Sequence, residues 1–421
     1  MGNGTSDDSL AILSAVNANL STSIRFPAGD YLVDNSSGYL VLANFSGTLN
    51  FDSHARILCN TSSNGCLELS GGTGARIKDI RVGYTSVPTT RTFGLALFIS
   101  QTTDTLVEGA VIETSPSAGI LCDQCIRPHV SHAMVSGTLA DGIHFSNCQD
   151  AKVSDSTTAN TGDDGIAFLN YSSSPNYTGG QAINVTVRNS QSRGISVVGQ
   201  SDVLITNFLI DTTSSSGALC AYDSSFKTRV PDRVRFSHGV IKNAGTLIPA
   251  IGNRYGVEVA DVSGCAFDDI AIYGSRDRSF SGSAPAGQIA ISNIYSNGGT
   301  SGFNINSTKT LIMSNATAEA STDYGFFIST SGTALVEGIK TINVSQGASS
   351  LHRAIWFENN SYFRAHGLTV IDLQSTATGY IIGEYNNTSG VATGIQSQIS
   401  AGSLAVQKNS AHVLFSREDA P

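Results

Sequence analysis

Three aspartates and one arginine occupy matching places in a repeat. Gly-Ile pairs stand at positions 119, 142 and 165, a step of 23 residues, and again at 194 after 29. Gly217-Ala218 follows after a further 23. The residue before each glycine runs Ala118, Asp141, Asp164, Arg193, Ser216, and the one before that Ser117, Ala140, Asp163, Ser192, Ser215. A fixed period of this size marks a solenoid, each repeat being one coil of a stack. Parallel strands on successive coils lie about 4.8 Å apart. Asp141, Asp164 and Arg193 are therefore expected one above another, with Asp163 beside Asp164. Three carboxylates so close cannot all ionise comfortably, and their repulsion separates a protonated acid from an ionised base. Hydrolysis of a glycosidic bond needs those two roles. Arg193 would hold one carboxylate charged or bind a substrate oxygen. One Asp-Gly is ordinary turn chemistry. Three in register, with only Ala and Ser on the flanking coils, favour catalysis.

The elements that must position these residues are short strands. Gly numbers 43 of 421 residues, charged residues are 14%, and Met and Trp are rare, a composition suited to brief strands joined by tight turns. Apolar runs such as LVLANF, LNFD, RILC and GLALFIS alternate with turn clusters from about residue 38 onward. The glycine register returns at Gly256, Gly302 and Gly325, and at Ala354 after 29 residues. The expected fold is all-β, a single-stranded parallel β-helix of about 23-residue coils with a short N-terminal capping helix over 8–18. Ser6 or Asp7 would cap that helix, and Leu10, Ile12, Leu13 and Val16 would form its apolar stripe. Strands are expected at Ser23–Phe26 and Tyr31–Val33. The organisation reads as a cap over 1–37, the β-helix over 38–385, and a C-terminal cap or oligomer contact over 386–421. Two coils exceed the period, through 170–180 (NYSSSPNYTGG) and through 223–236 (DSSFKTRVPDRVRF). A solenoid tolerates extra residues only in its turns, so these loops are the expected walls of a substrate cleft.

Charge and cysteine usage narrow the classes. A net charge of −9 argues against nucleic acid, which needs clustered Lys and Arg. No apolar run of about 18 residues implies a membrane span. Of the seven cysteines, Cys59 and Cys66 are spaced to close a small loop. Cys125 and Cys148 should stack on successive coils as small apolar residues rather than as a redox or metal pair. Neither a metal nor an organic cofactor is expected. Fourteen N-x-S/T sequons do not settle the compartment.

Two resemblances sharpen this reading. Residues 2–30, opening GNGTSDD, resemble the start of pectate-lyase-like proteins, a segment shared by β-helical enzymes and phage tailspikes. The resemblance implies a right-handed β-helix whose apolar end is covered by the helix, and a start trimmed of the strand that usually precedes it. The runs ADGIHF at 140–145 and NTGDDGIAF at 160–168 resemble the α-1,3-glucanase (mycodextranase) family and, more distantly, polygalacturonases. That resemblance covers about 30 residues. It implies an inverting glycoside hydrolase in which Asp163 is the general acid while Asp141 and Asp164 activate water. The sequence departs from polygalacturonases at Arg193, where they carry His, and at Leu219-Cys220-Ala221, where they carry an R-I-K-type triplet. The basic grip on galacturonate is thus absent there, although Lys227 and Arg229 are available to replace it.

Further expected substrate contacts are His144, which should face the cleft if Ile143 and Phe145 face the core, and Tyr171, Tyr177 and Tyr222, whose rings would stack on sugars. Phe145, Phe168, Val197 and their column mates Cys122 and Cys220 read as core. The leading expectation is an endo-acting polysaccharide hydrolase, extracellular or virion-associated, as a monomer or homotrimer. The rivals are a tailspike depolymerase acting on a bacterial surface glycan, a polysaccharide lyase, and a non-catalytic binding β-helix.

Overall fold

The computed structural model describes residues 2–344, 353–373, 380–399 and 404–417. Its elements are strands paired in parallel with strands one coil away, plus one short helix. The chain divides into two compact units, residues 1–209 with 223–229, and residues 210–222 with 230–421.

The first unit is built from three stacks of strands. One runs through Leu67–Ser70, Leu97–Ser100, Ile120–Asp123, Ile143–Ser146, Ile166–Leu169 and Ile195–Val198. The second includes Arg76–Lys78, Leu106–Glu108, His129–Ser131 and Ala151–Ser154. The third includes Arg81–Tyr84, Val111–Ile112, Met134–Thr138 and Thr157–Thr161. Alternation along a strand sends every second residue inward. Ile120, Ile143, Ile166 and Ile195 therefore make one buried column, and Cys122, Phe145, Phe168 and Val197 the next. The rings of Phe145 and Phe168 stack with centroids 5.1 Å apart. The corners between stacks take left-handed backbone at Asn147, Asp150, Asp155 and Asn160, which explains the polar-turn composition.

Gly165 shows why the repeat keeps glycine after the aspartates. A Cβ there would lie 2.3 Å from Val187 and 2.7 Å from the Gly194 carbonyl oxygen. Both neighbours belong to the coil wall and cannot swing aside. Gly165→Ala is expected to cost about 1–3 kcal/mol through overpacking, read as a lower urea midpoint at unchanged slope.

At the N-terminus the helix spans Ser9–Ala18. Its N-cap is Asp8 rather than the expected Ser6 or Asp7, with no side-chain cap; Asp7 Oδ1 instead accepts the backbone N–H of Ser9. Ile12 and Val16 are buried, but Leu10 is exposed, so the expected stripe is narrower than the sequence pattern. The strand Ser23–Phe26 forms as expected, and the one expected at Tyr31–Val33 begins earlier, at Gly29. Cys59 and Cys66 are disulfide-bonded, and the five other cysteines are free and buried.

The second unit repeats the scheme, with Ala218–Ala221, Val257–Ala260, Arg278–Ser283 and Ser301–Ser314 pairing in series. Phe280, Phe303 and Phe326 stack in its core. Parallel pairing runs past residue 385: Tyr362–Asp372 pairs with Gly390–Ile399, which pairs with Val413–Arg417.

Candidate active site

Each acidic residue sits in the turn that feeds a strand of the first stack. Asp141 precedes Gly142 and the strand Ile143–Ser146; Asp163 and Asp164 precede Gly165 and Ile166–Leu169; Arg193 precedes Gly194 and Ile195–Val198. The register Ile143 to Ile166 to Ile195 brings these turns together. One carboxylate oxygen from each of Asp141, Asp163 and Asp164 lies within 4.8 Å of the others. These three form a group close enough to converge on a single cation, but each already accepts hydrogen bonds or ion pairs from its surroundings.

The three carboxylates differ in environment. Asp141 is buried; its Oδ1 accepts the Asp164 backbone N–H at 2.9 Å, and its Oδ2 faces His144 Nδ1 at 2.6 Å. Burial pushes the Asp141 carboxyl up, but the contacts with His144 and the Asp164 N–H outweigh it and leave it below its ordinary value. His144 responds in kind. Burial opposes its charge, yet Asp141, with Asp164 and Asp163 behind it, raises its pKa. Its Nε2 is buried, with no hydrogen-bond partner among the described residues.

Asp164 is deeper still in its effect. Its Oδ1 accepts the Arg193 backbone N–H at 2.9 Å and its Oδ2 accepts the Ser196 hydroxyl at 2.6 Å. Burial, with the charges of Asp141 and Asp163, overrides the opposing pull of Arg193 and Ser196 and lifts its pKa to about 6. Asp163 is the most accessible of the three. Its Oδ2 pairs with Arg91 Nη1 at 3.0 Å, and its Oδ1 lies 3.9 Å from Arg193 Nη1.

These groups line a pocket of about 220 Å³ with Ala167, Phe168, Leu169, Tyr171, Ser196, Val198, Asp223 and Phe226. Both long loops contribute to it, as expected. They also hold each other: Ser172 N–H donates to the Lys227 carbonyl, Arg229 N–H to the Asn170 carbonyl, and the Arg229 guanidinium to the Ser174 carbonyl. Arg229 is therefore a loop brace, not a free cation for substrate.

Of the expected contacts, Asp141, Asp163, Asp164, Arg193, His144 and Tyr171 meet in the pocket. Ile143 and Phe145 face the core and His144 the pocket, as strand alternation requires. Tyr177, Lys227 and Tyr222 are not among the lining residues. Tyr177 instead receives the Asn170 side-chain amide on its backbone carbonyl, and the Lys227 side chain is exposed while its carbonyl braces the loop pair. Tyr222 closes the strand Ala218–Ala221 in the second unit, its N–H bonded to the Ala260 carbonyl.

Sequence reasoning missed Arg91, Ser196, Asp223 and Phe226. Ser196 and Phe226 were open to the argument already used. Ser196 alternates with the core residues Ile195 and Val197 as His144 does with its neighbours, and Phe226 lies inside a loop already flagged. Arg91 carried a subtler signal: Leu67 pairs with Leu97, a step of 30, against 23 from Leu97 to Ile120, so its coil also holds an insertion.

A family model described as a right handed beta helix region matches residues 174–338. No curated protein sequence matches the chain. Among solved structures, the tailspike protein of E. coli bacteriophage HK620 superposes with a TM-score of 0.62 at 10% identity, over 99% of this chain and 78% of that one. The A-module of mannuronan C-5 epimerase AlgE6 from Azotobacter vinelandii gives 0.54 at 13% identity, over 100% of this chain and 97% of its own. The catalytic domain of a GH87 alpha-1,3-glucanase also aligns, over 97% of this chain and 67% of that one at 14% identity, but with a TM-score of only 0.46. At such identities the shared property is the fold, and that fold is the right-handed parallel β-helix.

Proposed function

We propose that the pocket hydrolyses a glycosidic bond within a polysaccharide. The observation that carries this reading is the convergence of three carboxylates in three different environments, with one oxygen from each within 4.8 Å. Asp163, the accessible member, protonates the leaving oxygen. Asp164, whose pKa is lifted to about 6, and Asp141, held ionised by His144, position and deprotonate the water. Arg193 and Ser196 fix the Asp164 carboxylate, so its lone pairs keep one direction. The unpartnered Nε2 of His144 is available to a sugar hydroxyl, and Tyr171 and Phe226 offer ring faces at the pocket wall. The like-folded epimerase is named for a polysaccharide, and the tailspike puts the same fold on a virion. Both suit a polymeric sugar met outside the cell or at a virion surface.

The resemblance to α-1,3-glucanases implies inversion, whereas carboxyl groups only about 5 Å apart accompany retention as a general rule. The anomer of the first product, followed by NMR, decides between the two.

The test of the reaction is product formation from a panel of neutral and acidic polysaccharides that includes α-1,3-glucan. New reducing ends and the ultraviolet absorbance of unsaturated uronate are followed together, with Asp163→Asn alongside. Reducing ends without absorbance, lost in the variant, are expected. Absorbance rising with the reducing ends would make the protein a lyase and remove the hydrolytic roles assigned above.

A further inference from the structure

We infer that the loop over residues 85–94 is a sugar subsite, in which Arg91 takes the carboxylate of an acidic sugar and Phe93 stacks on its ring. This inference rests on the hydrolytic reading for the role of Asp163 and on the loop itself for everything else.

The loop is held in place at its C-terminal end. Thr92 donates its backbone N–H to the Pro116 carbonyl and its hydroxyl to the Ser63 carbonyl, while its hydroxyl oxygen accepts the Gly94 N–H. The Tyr39 hydroxyl donates to the Phe93 carbonyl and accepts the Leu95 N–H. A Cβ on Gly94 would fall 2.4 Å from the Asn64 carbonyl carbon, so the chain passes its neighbour at contact distance. Within the anchored stretch 91–94 the side chains of Arg91 and Phe93 are exposed. Arg91 reaches the pocket and pairs with Asp163 through one nitrogen, its side chain 56% exposed. Phe93, two residues on, is 98% exposed. Two residues span at most about 7 Å, so Phe93 springs from the backbone within that distance of Arg91, outside the residues that line the pocket itself.

Stability does not explain the arrangement. A solvated Arg–Asp pair contributes little, and a fully exposed phenylalanine contributes no burial. Exposed single phenylalanines are ordinary on a surface. Here, however, Phe93 stands two residues from an arginine that lines an acidic pocket, and Phe226, 64% exposed, lines that same pocket.

The chemistry supplies the sign of the ligand. In the role proposed for it Asp163 must face the leaving oxygen, and the Arg91 guanidinium occupies its Oδ2 at 3.0 Å. Arg193 is shared between Asp163 and Asp164, whereas among the described residues Arg91 has its ion pair with Asp163. A substrate carboxylate would draw Arg91 off, as guanidinium and carboxylate pair through parallel hydrogen bonds. The Asp163 carboxyl is then free to turn to the leaving oxygen as the substrate seats. A neutral sugar offers no such exchange.

The test is affinity electrophoresis of Asp164→Asn protein, used to prevent cleavage, through gels containing sodium polygalacturonate, sodium alginate, hyaluronan, dextran or pullulan. At least one acidic polymer should retard it more than either neutral one. Adding Arg91→Gln should weaken that retardation about fivefold and abolish its salt dependence. Adding Phe93→Ala should weaken it about threefold and leave the salt dependence intact. Melting temperatures within about 2 °C of the parent check that both variants fold, since neither side chain is buried. Equal retardation with and without Arg91, stronger retardation by a neutral polymer, or none by any polymer would each overturn the inference. Wild-type cleavage of a neutral glycan unaffected by Arg91→Gln would sink the subsite and spare the hydrolase. An acidic polymer bound through Arg91 yet never cleaved would do the reverse.

Discussion

Asp164→Asn should lower kcat about a thousandfold, the usual scale for loss of a catalytic base, while leaving the coil folded. The amide keeps the shape of the carboxylate and can still accept the Arg193 N–H, so the turn before Gly165 has no reason to move. What it loses is the group that titrates near 6. In the wild type, activity should therefore rise as pH passes upward through about 6, when Asp164 gives up its proton. The residual activity of the variant should lack that limb. The same shift predicts a stability trade. A carboxyl whose folded pKa lies above its unfolded value is destabilising once ionised, and the cost grows as pH rises from about 4 to about 6. Two pKa units correspond to roughly 3 kcal/mol. Asp164→Asn should thus be more stable than wild type at pH 7 by up to that amount, and equal to it below pH 4. Thermal or urea unfolding at both values checks this. A variant less stable at pH 7 would mean that the Arg193 and Ser196 contacts stabilise the charged form more than burial penalises it.

Phe168→Ala should cost about 3–5 kcal/mol, the range for removing a buried aromatic ring. The ring is 1% exposed, stacks on Phe145, and lies against Gly180, which has no side chain to fill the gap. In a solenoid each coil leans mainly on its neighbours, so the damage should be local before it is global. Hydrogen exchange should quicken first in Ile143–Ser146, Ile166–Leu169 and Ile195–Val198, while the stacked strands of the second unit keep their protection. Activity should fall with it, because Asp163 and Asp164 enter that same coil five and four residues before the ring. Uniform loss of protection along the whole chain would instead show that the solenoid unfolds as one unit.

The parts of the site legible in sequence share one property, which is that their position follows from the period. His144 faces the pocket because Ile143 and Phe145 cannot, and Asp141 meets Asp164 because their glycines are 23 residues apart. Two insertions were legible as loops, since a coil of constant length must expel extra residues. Their side chains were not. Tyr177 and Phe226 both lie in flagged loops, and only the latter lines the pocket, because the loops brace each other through backbone hydrogen bonds that no periodicity records. Arg91 escaped notice because its partner Asp163 is 72 residues away in sequence.

The sequence by itself determined the parallel coil, the core columns and the meeting of Asp141, Asp163, Asp164 and Arg193. Nearest-neighbour register decides all of these, and register is written in the spacing of glycine and apolar residues. Only the tertiary structure decided which carboxylate is buried deeply enough to titrate near 6, which cation faces Asp163, and which aromatic rings border the pocket. Those depend on burial and on loop paths, where desolvation and contacts distant in sequence outweigh any local preference.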